Sequence, residues 1–210
     1  MAGALALGLV AAALDVWPAR AQSAAQSSFE SLLVPDGSLP NLAVVTPGLV
    51  RGGQPTMPGL ARLKAAGVKT IVNLRNEDLM IRREGKVAHQ LGLKYVSIPL
   101  DEFSQPADRS IRQFLKVAND PSRQPVYVHC LHGQDRTGTM VAIYRIQEQG
   151  WNASQAYQEM LSFGFRPFFV NLSNAVFDYG QRLGRPGVRP SGGLIVDDLK
   201  SRLSRFFGQK

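Results

Sequence analysis

Cysteine is nearly absent from this 210-residue chain. Cys130 stands alone, so no internal disulfide can form and stability must come from packing. Histidine is almost as scarce. The three, at 89, 129 and 132, have no partners at ligand spacing, so no metal site and no cofactor is expected. Acids are outnumbered: 16 Asp and Glu face 24 Lys and Arg, a formal charge of +8 that favours anionic substrates or surfaces. Those positive residues are scattered without an aromatic-interleaved basic cluster, so nucleic-acid binding is not expected. Internal repeats and low-complexity tracts are missing, and the apolar run from Met1 to Leu14 is too short to span a bilayer comfortably. A hydrophobic content of 44% argues against global disorder.

The ends of the chain differ from its middle. The apolar N-terminal run is followed by the small-x-small site Ala19-Arg20-Ala21 and polar Gln22-Ser23, so residues 1–21 read as a signal peptide without its usual positive n-region. Cleavage there makes export, most simply to a bacterial periplasm, the expected localisation. Residues 22–40 read as a flexible N-terminal arm, 41–183 as the domain, and 184–210 as a linker and tail. In the tail Ile195, Leu199, Leu203 and Phe206 fall near one helical face, with Lys200, Arg202 and Arg205 elsewhere. Such an amphipathic segment either packs on the domain or makes peripheral contact with an anionic membrane.

Within the domain, strand-like stretches at 42–45, 49–51, 70–74, 95–98 and 126–129 alternate with helical periodicity at 59–66, 79–90 and 111–118. Two further helices are predicted at 153–163 and 171–182. This alternation predicts an α/β sandwich.

Most chemistry is concentrated in the run His129-Cys130-Leu131-His132-Gly133-Gln134-Asp135-Arg136-Thr137-Gly138. A strand ending in a short glycine-containing loop that opens a helix aims several backbone N–H groups at one point, which makes a nest for an anion. The helix is predicted from near Thr137 to a stop at Gly150. Its positive dipole end faces Cys130. Such a setting lowers a thiol from about 8.5 to roughly 3.5–7.5, so Cys130 reads as a standing thiolate. Arg136 can fold back and grip two phosphate oxygens in a fork that lysine lacks. The backbone of Leu131, His132, Gly133, Gln134, Asp135 and Arg136 then forms the cradle, and Thr137 is placed to hydrogen-bond the sulfur. A thiolate there can attack phosphorus, form a phosphocysteine and be freed by water.

This Cys-x5-Arg-Thr-Gly pattern with its preceding histidine resembles the cysteine-dependent protein tyrosine and dual-specificity phosphatase superfamily. Pro47-Gly48-Leu49-Val50-Arg51-Gly52-Gly53-Gln54-Pro55 and Thr70-Ile71-Val72-Asn73-Leu74-Arg75 are similar to the early segments of small bacterial dual-specificity-like phosphatases. The Gly150-Trp151 and Ala156-Tyr157-Gln158-Glu159-Met160 segments fit too, so the likeness covers residues 42–182. It implies a dual-specificity-phosphatase-like three-layer sandwich, with a central, mostly parallel sheet flanked by helices. It also implies a metal-independent, monomeric phosphatase acting on a phosphorylated protein, phosphoinositide or small phosphate ester.

The same resemblance directs the search for a proton donor. The loop Pro99-Leu100-Asp101-Glu102-Phe103 offers Asp101 and, ranked below it, Glu102. Asp135 is the alternative, because an aspartate beside the loop arginine has this role in bacterial lipid-and-tyrosine phosphatases and myotubularins. His129 is expected to be the buried histidine that steadies the thiolate. His132, which also occurs in RNA 5′-triphosphatase-like loops, is expected to shape the loop. Arg51 either lines the cleft or pairs with an acid. Phe103 or Phe165 is available to wall an aromatic cleft. A loop without lysine argues against a highly phosphorylated inositol. Two rival readings stay open: a non-catalytic phosphate- or anionic-lipid-binding module, and a rhodanese-like sulfurtransferase.

Overall fold

Five strands form one sheet in the computed structural model, which describes residue 32 and residues 34–190. The expected signal peptide, most of the arm and the basic tail from residue 191 onward lie outside the described residues. The strands are β1 (Ala43–Thr46), β2 (Leu49–Gly52), β3 (Thr70–Asn73), β4 (Lys94–Ser97) and β5 (Val126–His129). The six helices among the described residues are α1 (Met57–Ala65), α2 (Asp78–Gln90), α3 (Asp108–Ala118), α4 (Asp135–Gln149), α5 (Ala153–Ser162) and α6 (Val170–Arg182). The sheet order is β1-β2-β5-β3-β4, antiparallel only between β1 and β2.

Side-chain alternation along the strands builds two apolar layers. Leu49, Val72, Val126 and Val128 face a core shared with Phe114 of α3, Met140 and Ile143 of α4, Met160 of α5 and Leu172 of α6. Val50, Ile71 and Tyr127 face the other way, onto Leu60 and Leu63 of α1 and Ala88 of α2. Both faces of the central strands are therefore covered, as parallel sheets require, and the result is the expected three-layer α/β sandwich.

Local chemistry sets the helix ends. Thr56 caps α1, its hydroxyl accepting from Gly59 N at 3.1 Å, while Asn152 and Gln155 form a reciprocal capping box on α5. Gly150 ends α4 in the left-handed region, at φ 74°. Several boundaries differ from the sequence expectation by one to three residues. Helix α3 shows the largest shift, starting at Asp108, since its polar first turn, Asp108-Arg109-Ser110, carries no apolar periodicity to reveal it. Helix α4 starts at Asp135 rather than near Thr137, which places Arg136 inside its first turn. Phe165 also differs: it is 1% exposed within the larger core and cannot wall a cleft. Phe103, 66% exposed, packs edge-on against Phe169.

Candidate active site

The site is laid out by strand register. On one line across the sheet Gly52 pairs with His129, His129 with Asn73, and Asn73 with Ser97. Because β2, β5 and β3 are parallel, the segments leaving them emerge at the same edge, where α/β sheets bind ligands. Cys130 follows β5 directly, 2% exposed, as the only cysteine of the chain.

Four neighbours draw the loop carbonyls away from its centre. The Cys130 carbonyl faces His129 Nδ1 at 3.0 Å, and the Leu131 carbonyl accepts from Gln54 N at 2.9 Å. Asn41 Nδ2 donates to the His132 and Gly133 carbonyls at 3.4 and 3.2 Å, and Arg51 Nη2 to the Gly133 carbonyl at 2.9 Å. In a trans peptide the N–H opposes the C=O. The N–H groups of Leu131, His132, Gly133 and Gln134 are thereby turned away from these partners, toward the inside of the loop. Gly133 makes the turn at φ 73°, and a Cβ there would lie 2.5 Å from the Gly52 carbonyl carbon. Only glycine meets both conditions.

Arg136 is 6% exposed, and its Nη1 is 3.1 Å from Asn76 Oδ1, 3.3 Å from the Leu100 carbonyl and 3.3 Å from Glu102 Oε2. It thus joins the β3 exit to the 100–102 segment. Thr137 is buried in the same turn, and its Oγ1 has no hydrogen bond among the described residues. Leu131 and His132 are exposed at the loop's outer surface.

The carboxylates separate by environment. Asp135, 4% exposed, accepts from Arg166 N at 3.0 Å and forms an ion pair with Arg166 Nη2 at 2.7 Å. It ties α4 to the segment before α6. Asp101 is exposed and accepts from Phe103 N and Ser104 Oγ at 2.9 and 3.1 Å, a local turn. Glu102 is the carboxylate next to Arg136. Close by, paired hydrogen bonds from Arg75 hold the Glu77 carboxyl down at about 2.

Several residues at the site escaped the sequence reading. Arg51 neither lines an open cleft nor pairs with an acid. It is 1% exposed, stacked 3.8 Å over Phe163, with Nε and Nη1 making no hydrogen bond among the described residues. Burial pushes its guanidinium down to about 10, against the opposing charges of Glu159 and Cys130. Asn41, in a left-handed conformation at φ 51°, and Gln54 brace the loop from positions 91 and 77 residues away in sequence. Glu84, buried on α2, stands behind His129. The Arg-Gly-Gly-Gln-Pro run marked the right segment without giving Arg51 its contacts, and nothing in the sequence distinguished Glu84 from the solvated acids of its helix.

A buried thiol at the head of an anion-cradling loop, closed by an arginine on a helix N-terminus, defines the class of cysteine-dependent phosphatases. Residues 40–169 match the family described as DSP-PTPase phosphatase fused to NAD+ kinase, and the chain belongs to that family. It is 32% identical over 126 residues to the dual specificity protein phosphatase TpbA of Pseudomonas aeruginosa, covering 60% of this chain and 55% of that protein. It is 31% identical over 134 residues to inositol diphosphatase DSP2 of Oryza sativa subsp. japonica, covering 59% and 61%. The crystal structure of a TpbA variant in complex with pTyr superposes with a TM-score of 0.57 at 27% identity, covering 69% of this chain and 90% of that one. The chain spans about half the length of TpbA.

Proposed function

We propose that this chain hydrolyses phosphate monoesters through a phosphocysteine on Cys130. The observation that carries the reading is the outward anchoring of the loop carbonyls, which leaves N–H donors and Arg136 around one thiol. The Cys130 thiolate attacks phosphorus and the bond to the leaving oxygen breaks. A carboxylic acid protonates that oxygen, and water then displaces sulfur, so one hard displacement becomes two easier ones. Arg136 supplies the bidentate grip, and Thr137 Oγ1 is placed to hydrogen-bond the departing sulfur.

For the acid the geometry favours the 101–102 segment. Glu102 touches Arg136, whereas Asp135 is committed to Arg166 and is a positioning residue. Likeness to TpbA, a variant of which was crystallised with pTyr, supports a phosphotyrosine or dual-specificity substrate; likeness to an inositol diphosphatase supports a phosphoinositide-like one. Exposed Phe103 beside the Arg136-bound Leu100 and Glu102 favours an aromatic ester. Export to a periplasm, a monomeric state and peripheral membrane contact through the tail belong to the same proposal and rest on sequence alone.

The test is phosphate release from para-nitrophenyl phosphate in chelator and reductant, with Cys130→Ser alongside. Activity in the parent and none in the variant is the expected result. Phosphate binding without turnover in either would replace the reading with a binding module, and sulfur transfer from thiosulfate would replace it with a sulfurtransferase. Asp101→Asn, Glu102→Gln and Asp135→Asn, compared on aryl phosphates of rising leaving-group pKa, identify the acid. Its loss costs roughly 10²–10⁴-fold with the poorest leaving groups and least with activated ones.

A further inference from the structure

Behind the loop lies a buried polar cluster that the steps above leave unused. Glu84, 2% exposed on α2, accepts at Oε2 from Asn73 Nδ2 of β3 at 2.5 Å and Tyr95 Oη of β4 at 3.0 Å. It accepts at Oε1 from Gln54 Nε2 at 2.9 Å. The amide orientations are fixed from their far ends, since Asn73 Oδ1 accepts from Arg75 N and Gln54 Oε1 accepts from Arg75 Nη1. Three donors on two oxygens select the ionised carboxylate. Burial pushes Glu84 up, but the charge of His129 and hydrogen bonds from Tyr95 and Gln54 outweigh it and hold the carboxyl below its usual range.

His129 is 0% exposed between this carboxylate and the nucleophile. Its Nε2 lies 3.1 Å from Glu84 Oε1, an ion-pair separation with the oxygen off the N–H axis. Its Nδ1 lies 3.0 Å from the Cys130 carbonyl, and its ring stacks on Tyr127. A carboxylate and a carbonyl only accept. Both ring nitrogens therefore face acceptors.

We propose that Glu84 is a positioning residue for the nucleophile: as the buried counter-ion of His129 it keeps that ring cationic, and the cation stabilises the Cys130 thiolate. Two routes carry the effect. The cation's field favours the anion directly. Its hydrogen bond to the Cys130 carbonyl also polarises the next peptide, whose N–H, that of Leu131, belongs to the anion cradle. The titratable and charged groups facing the pair are the neutral phenols of Tyr95 and Tyr127 on the sheet, Arg75 through Gln54, and Arg51 on the thiol side.

The inference rests on the phosphatase reading for the thiolate's purpose, but its test does not need turnover. With one cysteine in the chain, iodoacetamide uptake reports Cys130 alone. Glu84→Gln keeps a group able to donate to His129 Nε2 while removing the charge. At about pH 6 its alkylation should slow roughly tenfold, the midpoint of the profile rising by about one pH unit. In a His129→Asn background the same substitution should leave the profile unmoved, because Glu84 acts through that ring. A Glu84→Gln profile superimposable on the parent's would overturn the proposal and leave Glu84 a structural acid. Nitrogen-15 NMR of the unsubstituted protein decides the matter should the variant not fold: two protonated ring nitrogens on His129 near neutral pH are expected, and one bare nitrogen refutes the imidazolium. If alkylation behaves as stated and no phosphate is released, the phosphatase reading fails while this one stands.

Discussion

Replacing Arg51 with methionine should separate stability from activity. Burial lowers the guanidinium from its ordinary value to about 10, so at neutral pH the folded state carries about 3 kcal/mol of disfavoured charge. Against that stand one charge-assisted hydrogen bond to the Gly133 carbonyl, roughly 1.5–3 kcal/mol, and stacking on Phe163, roughly 1–2 kcal/mol. The terms nearly cancel. Methionine fills similar space and orphans nothing, because Asn41 Nδ2 still serves the Gly133 carbonyl. Arg51→Met should therefore unfold in urea within about 1–2 kcal/mol of the parent at unchanged m-value, where removing one member of a buried ion pair costs roughly 3–5 kcal/mol. Phosphate release should nonetheless fall tenfold or more, since the loop loses a brace and the thiol a cation. The sign with pH follows. Below about pH 10 the group is charged in both states, so stability does not vary on its account, and the penalty fades only as alkali deprotonates the folded form. A loss above about 3 kcal/mol, or full activity, would refute this balance.

Two further outcomes follow from the same contacts. Arg166→Met removes the counter-ion of the buried Asp135 carboxylate, leaving it the Arg166 backbone N–H, and should cost roughly 3–5 kcal/mol in denaturant unfolding, with Asp135→Asn in that background recovering part of it. Gly133→Ala sets a Cβ 2.5 Å from backbone at a positive φ; phosphate binding by calorimetry should disappear while the circular dichroism of the sheet persists.

The fold was largely legible because its signals are local. The run at Val126–His129 is bounded by turn residues, the Gly150 stop is chemical, and the helical faces repeat every few residues. Cys130, Arg136 and the glycine between them were legible as well, being confined to one loop and its helix. What sequence could not supply was the far side of each contact. Asp135 reads as a candidate proton donor from its place beside Arg136, and only Arg166, 31 positions on, shows where its carboxylate is held. Glu84 sits among Arg82, Arg83 and Lys86 on a helix whose polar residues ordinarily face water, and only the crossing of α2 over the Asn73–His129 rung buries it. Arg51 was assigned to a cleft or an acid because an unpaired buried guanidinium is too costly to expect without seeing what it braces.

The rung that aligns Gly52, His129, Asn73 and Ser97 has a consequence for quality control in folding. Side chains alternate faces along β5, so a slip of one residue against either neighbour would carry His129 into the apolar layer and leave Val128 opposite Glu84. A misregistered sheet is thus penalised by an unpaired carboxylate and a stranded histidine at once. The polar groups that serve the nucleophile also proofread the strand pairing, so chains that pass inspection by their own packing already have the loop assembled.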